Sequence, residues 1–254
     1  MSEKELSYGQ MLRYSRHIML PSIELEGQTR IHNAHVLILG LGGLGCAAAQ
    51  YLAASGIGKL TLVDDDRVEN TNLQRQVLHF ESALGSAKVI SAKNTLSQIN
   101  SEVQIDTLDR RLTQSELAEL LKQVDVVADC TDNLSSRQQI NQLCFEQKVP
   151  LVTGAAIRFE GQVASLGMQS GEPCYQCFSR FFTEPQQSCS EMGVFSPTVG
   201  IIGSIQAAEV LKLICKTGEP LTGRLLCVDV QHMVFNNFRI VPDPDCPVCS
   251  CPVT

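Results

Sequence analysis

Two cysteine pairs, Cys174-Tyr-Gln-Cys177 and Cys246-Pro-Val-Cys249, have the spacing at which two thiolates grip one metal ion. Both lie among glycine, proline and polar residues outside the helical patterns, and together they form a four-cysteine set of the kind that holds structural Zn²⁺. The pairs are separated by 68 residues. A metal there pins the tail to the middle of the chain and adds folding energy, not catalysis. Cys251 stands close to Cys249 and leaves the fourth ligand open, although the C-x-x-C bite selects Cys249.

A second group of residues has types suited to phosphate chemistry. The turn Gly40-Leu-Gly-Gly-Leu-Gly45 follows the apolar run HVLIL and precedes the small-residue segment CAAAQYLAASG. In a strand-turn-helix unit, Gly40 and Gly42 permit the tight turn and a close approach of phosphate to the helix start. The next apolar segment, KLTLVDDD, carries Asp64 at its end, 24 residues after Gly40, near the separation at which a carboxylate reaches a ribose. A dinucleotide is the default occupant of such a unit, with hydride transfer as its chemistry. The following residues point elsewhere. Asn72, Gln74 and Arg75 occupy the loop after the acidic strand, Lys88 opens a helical pattern, and Asp132 stands in DCTDN after a later strand. Two cations and a further carboxylate suit a triphosphate with a metal ion. Each also has a plainer reading, Arg75 and Lys88 as solvated surface charges and Asp132 as the N-cap of the next helix. His17, His32, His35, His79 and His232 show no metal-like or triad-like spacing and are assigned to core or surface.

The elements needed to position these residues are visible as alternating patterns. SAKVISAKNTLSQI reads as a helix, VQIDTL as a strand, TQSELAELLKQ as a helix, VDVVADC as a strand, and SSRQQINQLCFEQ as a helix before the strand PLVTGAA. This is the pattern of a doubly wound, Rossmann-like α/β sheet, mostly parallel, with ligands at the carboxyl ends of its strands. The uncharged stretch from Val36 to Gly58 is too rich in glycine for a membrane span. The segment TVGIIGSIQAAEVLKLICK is apolar nearly all round, so it is expected to be deeply buried or at a subunit interface.

Composition narrows the class. The chain has 254 residues, 20 basic and 27 acidic, for a net charge of −7. That balance argues against broad binding to nucleic acid or anionic membranes, so any phosphate must be held by a local basic site. Eleven cysteines and a polar, charged N-terminus fit a cytoplasmic protein with reduced thiols rather than a disulfide scaffold. Cys46, Cys130, Cys144, Cys215 and Cys227 fall in apolar patterns and are read as core, whereas Cys189 lies in the polar stretch EPQQSCSEMGV.

The segments RYSRHIML, GLGGLG, VDDDRVENTNLQRQ, DCTDN, PLVTGAAIRFEGQV, GEPCYQC and CPVC, in this order, resemble the bacterial adenylyltransferases related to ubiquitin-activating enzymes. Within that family the molybdopterin-synthase adenylyltransferases are most similar and the thiamine-pathway (ThiF) enzymes next. The resemblance implies a single adenylation domain over 1–254, with an N-terminal helical arm (1–30), a nucleotide-binding half (31–155) and a half for carrier, dimer and zinc contacts (156–254). C-terminal antiparallel strands complete the implied sheet. It implies ATP-dependent activation, with Mg²⁺, of the Gly-Gly terminus of a small ubiquitin-like sulfur carrier, in a homodimer served by a sulfurtransferase or cysteine desulfurase. Carried over by motif, Gly42, Asp64, Asn72, Arg75 and Lys88 hold ATP, Asp132 faces magnesium, and Arg16 serves the neighbouring subunit's phosphates. The four cysteines at 174, 177, 246 and 249 match the family's zinc pattern. Cys189 corresponds to a thioester or persulfide nucleophile in some members and to a dispensable loop cysteine in others. A nicotinamide-dependent dehydrogenase is the alternative outside the family.

Overall fold

A computed structural model describes residues 4–180 and 193–250. Apolar runs dominated by Val, Leu and Ile become the strands β1 (His35–Leu39), β2 (Lys59–Val63), β3 (Gln104–Leu108), β4 (Val126–Asp129) and β5 (Leu151–Ile157). These five are mutually parallel. They are followed by β6 (Glu160–Leu166), β7 (Arg224–Asp229) and β8 (Val234–Arg239), each antiparallel to the strand before it. All eight form one sheet in the order β3-β2-β1-β4-β5-β6-β7-β8. The connections leave β1 in opposite directions on its two sides, which opens a crevice at the carboxyl ends of β1 and β4.

The helices are α1 (Tyr8–Arg13), α2 (Ser15–Ile18), α3 (Glu24–Asn33), α4 (Gly43–Ala54), α5 (Lys88–Ile99), α6 (Gln114–Leu121), α7 (Leu134–Gln147), α8 (Tyr175–Ser179) and α9 (Ser196–Cys215). The sheet separates two cores because strand side chains alternate between faces. Val36 and Ile38 of β1 join the core under α4, α5 and α9, while Leu37 and Leu39 join the one under α6, α7 and α8. Cys174, Cys177 and Cys246 belong to that second core.

Element boundaries follow local chemistry. α6 begins at a reciprocal capping box, with the Thr113 hydroxyl accepting from Glu116 N and the Glu116 carboxylate accepting from Thr113 N. α4 begins at Gly43, inside the glycine turn and three residues before the expected start at Cys46. The reason is steric: a Cβ at Gly45 would lie 1.9 Å from the Gly40 carbonyl oxygen, so the helix can wind this close to the end of β1 only without a side chain there. Gly40 itself has φ +91°, a left-handed conformation suited to glycine.

The all-round apolar segment forms α9, which by length and composition could cross a bilayer. It instead lies against α3, α4 and strands β4, β5 and β6. Gly203 lets it approach the Leu44 carbonyl, where an added Cβ would be at 2.3 Å. Its buried Gln206 donates from Nε2 to the Asp129 carbonyl at 2.8 Å, fixing the end of β4. Cys46, Cys130, Cys144 and Cys215 are buried as expected; Cys227 is half-buried on β7.

Candidate adenylation site and cysteine cluster

The crevice at the ends of β1, β2 and β4 is an open cleft of about 650 Å³. Gly42, Asp64, Asn72, Arg75, Lys88 and Asp132 all line it. Residues separated by as much as 90 positions in sequence therefore meet, because parallel strands deliver their following loops to the same edge. Arg16 is exposed on α2 and does not line the cleft of its own chain.

The start of α4 forms one wall. Gly42 is its N-cap and contributes no side chain, so the first-turn N–H groups are left for an anion. Opposite them Asp64 is held rigidly: Oδ2 accepts from Leu41 N at 2.6 Å and Oδ1 from Asp66 N at 2.8 Å. Burial pushes the Asp64 carboxyl above its ordinary range, while those N–H groups and Lys88 favour its ionised form. Lys88 Nζ lies 2.7 Å from Asp66 Oδ2, and the lysine side chain is only 5% exposed. Buried Asn72 accepts at Oδ1 from Gln76 Nε2, which leaves Gln76 Oε1 buried with no hydrogen-bond partner. An orphan acceptor beside an uncapped helix start fits a polar ligand in this cleft.

At the end of β4 the capping question is settled by geometry. Asn133, not Asp132, caps α7, accepting at Oδ1 from Ser136 N at 2.9 Å. Asp132 is exposed in the cleft, with Oδ1 accepting from Asn133 Nδ2 at 3.3 Å. Asp64, Asp65 and Asp66 also place carboxylate oxygens within 4.8 Å of one another. Asp65 and Asp66 are paired with Arg111 and Lys88 respectively, whereas Asp132 is in no side-chain ion pair among the described residues.

Three cleft residues escape the sequence reasoning. Arg111, in the loop after β3, pairs with Asp65 at 2.8 Å. Arg137, one turn into α7, donates from Nε to the Thr131 carbonyl at 3.2 Å. Asp66, the third of the acidic run, neutralises Lys88. The strand-end rule that singles out Asp64 and Asp132, extended by one helical turn and to β3, reaches all of them. Asp129, just before, is wholly buried, with Oδ1 accepting from Thr131 N and Oγ1 and Oδ2 from Thr153 Oγ1. Burial raises its pKa above the usual carboxylate range against the opposing effect of Arg137 and these donors. The five histidines stay out of the cleft lining, and His79 is satisfied by Ser91 Oγ and the Leu41 carbonyl.

On the other face the four expected cysteines converge. Cys174, Cys177, Cys246 and Cys249 place their sulfurs within 4.8 Å of one another, with Cys174 to Cys246 at 3.6 Å and Cys177 to Cys249 at 3.4 Å. A tetrahedral site with Zn–S bonds of about 2.3 Å has S···S edges of about 3.8 Å, so the set fits zinc. Asp243 N donates to Cys177 Sγ at 3.5 Å. Cys249 supplies the fourth sulfur of this group; Cys251 and Cys189 lie outside the described residues.

The glycine turn, acidic strand end and cleft define a nucleotide-binding type of α/β protein with a separate four-cysteine cluster that could hold a metal. The model of the ThiF family matches residues 14–248, and the chain belongs to that family. It is 47% identical over 246 residues to the molybdopterin-synthase adenylyltransferase of Escherichia coli K12, covering 97% of this chain and 99% of that protein. It is 49% identical over 236 residues to the protein of that name from Haemophilus influenzae, covering 93% and 97%. The adenylyltransferase and sulfurtransferase MOCS3 of Anopheles gambiae is 41% identical, with 97% of this chain matching 56% of that protein. Among solved structures, E. coli MccB with AMPCPP and MccA superposes with a TM-score of 0.83 at 26% identity, covering 94% of this chain and 74% of MccB.

Proposed function

We propose that this protein adenylates the C-terminal glycine carboxylate of a small ubiquitin-like sulfur carrier, the small subunit of molybdopterin synthase, consuming ATP and releasing pyrophosphate for molybdenum cofactor biosynthesis. The observation that carries the reading is the meeting of Gly42, Asp64, Asn72, Arg75, Lys88 and Asp132 in one cleft. Near full-length similarity to proteins named molybdopterin-synthase adenylyltransferase selects the molybdopterin branch over the thiamine one.

Asp64 accepts the ribose hydroxyls, and the first turn of α4 with Gly42 receives phosphate oxygens. The carrier's carboxylate, already ionised at pH 7, attacks the α-phosphorus; the new C–O–P linkage forms as the bond to the pyrophosphate oxygen breaks. No proton has to move in that step. Negative charge gathers on the nonbridging and leaving oxygens, and Arg75, Lys88 and Arg16 from a second copy stabilise it more in the transition state than in the ground state. Mg²⁺, held at Asp132, would neutralise phosphate charge. The exposed setting of Arg16, away from its own cleft, supports a homodimer in which each copy completes the other's site.

The four cysteines hold Zn²⁺ as a structural ion. Sulfur reaches the activated carrier from a sulfurtransferase or cysteine desulfurase, and Cys189 takes no part in the adenylation step. MOCS3, which joins both activities in its name, supports such a link. The protein works in the cytoplasm, without nucleic acid or membrane. Carrier-dependent ATP–pyrophosphate exchange distinguishes the branches: a molybdopterin-type carrier should support it and a thiamine-type carrier should not. The reverse preference assigns the protein to the thiamine pathway, and cofactor oxidation or reduction without ATP use makes it a dehydrogenase.

A further inference from the structure

Asn141 lies in the middle of α7 with no exposed surface. A buried amide in a helix interior costs free energy unless its donors and acceptor are satisfied. One side is satisfied: Asn141 Oδ1 accepts from the backbone N–H of Tyr175 at 2.8 Å, inside the Cys174-x-x-Cys177 knuckle. That donor fixes which amide atom is oxygen, so the other must be the nitrogen. Nδ2 is buried and has no partner in hydrogen-bond geometry. The Cys174 thiol, next to Tyr175 in the knuckle, is within reach of the Asn141 side chain.

The alternative is that Asn141 merely braces the knuckle backbone. A brace requires an acceptor alone, and a buried orphan donor would then be a pure penalty. The penalty disappears if the neighbouring sulfur carries charge, because a metal-bound thiolate accepts an N–H bond far better than a thiol does. A Cys₄ zinc site has two net negative charges and gains from such donors. Asp243 N already provides one to Cys177, at 3.5 Å.

We propose that Asn141 is an outer-shell residue of the zinc site, donating from Nδ2 to the Cys174 thiolate while Oδ1 holds the knuckle through Tyr175 N. It is a positioning residue, acting on the metal through Cys174. The inference rests on the metal reading of the four cysteines and is independent of the adenylation reading.

The test uses the full-length zinc-loaded protein and follows zinc release to a chromogenic chelator. Asn141→Asp keeps an acceptor for Tyr175 N but removes the donor and adds charge beside the thiolate; Asn141→Leu removes both. Release is expected to be about 10–100-fold faster in both, and at least as fast in Asn141→Asp as in Asn141→Leu. Wild-type release from Asn141→Asp would reduce the residue to a backbone brace and overturn the proposal. Absence of stoichiometric zinc in the wild-type protein would overturn the metal reading and the proposal with it, leaving adenylation untouched. A measurement on the unsubstituted chain covers the case in which either variant fails to fold. In protein loaded with ¹¹³Cd and uniformly labelled with ¹⁵N, the Asn141 side-chain amide should show through-hydrogen-bond coupling to the metal. No such coupling, with the Asp243 backbone amide coupling present, contradicts it.

Discussion

Lys88 Nζ sits 2.7 Å from Asp66 Oδ2 at the edge of the cleft, the lysine side chain buried and the carboxylate 66% exposed. The cation is thus kept neutralised within the cleft that the proposed function assigns to ATP, by a carboxylate that is itself mostly solvated.

Lys88→Met retains the stem packing and removes the charge. It should lower kcat for adenylation by about 10²–10³-fold, the usual loss for a transition-state charge stabiliser. Its effect on stability should stay within about 1 kcal/mol, because the partner is solvated. Single-turnover kinetics and urea unfolding check the two halves; a purely structural Lys88 would show the opposite pattern.

Gly45→Ala places a methyl group 1.9 Å from the Gly40 carbonyl oxygen, so α4 must move away from the end of β1. We expect a loss of about 3 kcal/mol or more in unfolding free energy, together with weaker ATP binding. Gly85→Ala is the control. Its φ of +80° strains the new residue, but no atom lies within 4 Å, so the cost should be about 1 kcal/mol with nucleotide binding unchanged.

Buried Asp129 predicts a pH dependence. Its folded pKa lies above its unfolded value, so the native state binds more protons in the window between the two. Stability must therefore fall as pH rises from about 3.8 through the folded pKa. Asp129→Asn lacks that slope, and its stability relative to the wild type should increase with pH across the window. Parallel unfolding curves at pH 4, 5, 6 and 7 would contradict the assignment.

The first half of the fold was legible because its signals are local. HVLIL, KLTLV and VDVVADC are buried runs bounded by turn residues, and the helices between them carry their own stops. The start of α4 was misplaced because Gly43 and Gly45 are poor helix formers by propensity, overridden here by a contact with Gly40 that no local pattern encodes. The six cleft residues could be named from motif and strand-end position. Arg111 and Arg137 could not, because an arginine on a polar helix or loop looks like any solvated charge until Asp65 and the Thr131 carbonyl are seen beside it. For Asp132 the sequence left a choice between cleft carboxylate and helix cap, and only the geometry gives the cap to its neighbour Asn133.

The central claim is that carboxylate activation occurs in this cleft and needs no cysteine. Carrier-dependent ATP–pyrophosphate exchange, measured with Mg²⁺ and a molybdopterin-type carrier ending in Gly-Gly, tests it most directly. The wild type and Cys189→Ala should both exchange, and Asp132→Ala should lose the activity by about 10³-fold. Equal loss in Asp132→Ala and Cys189→Ala, or exchange that ignores the carrier, would contradict the account.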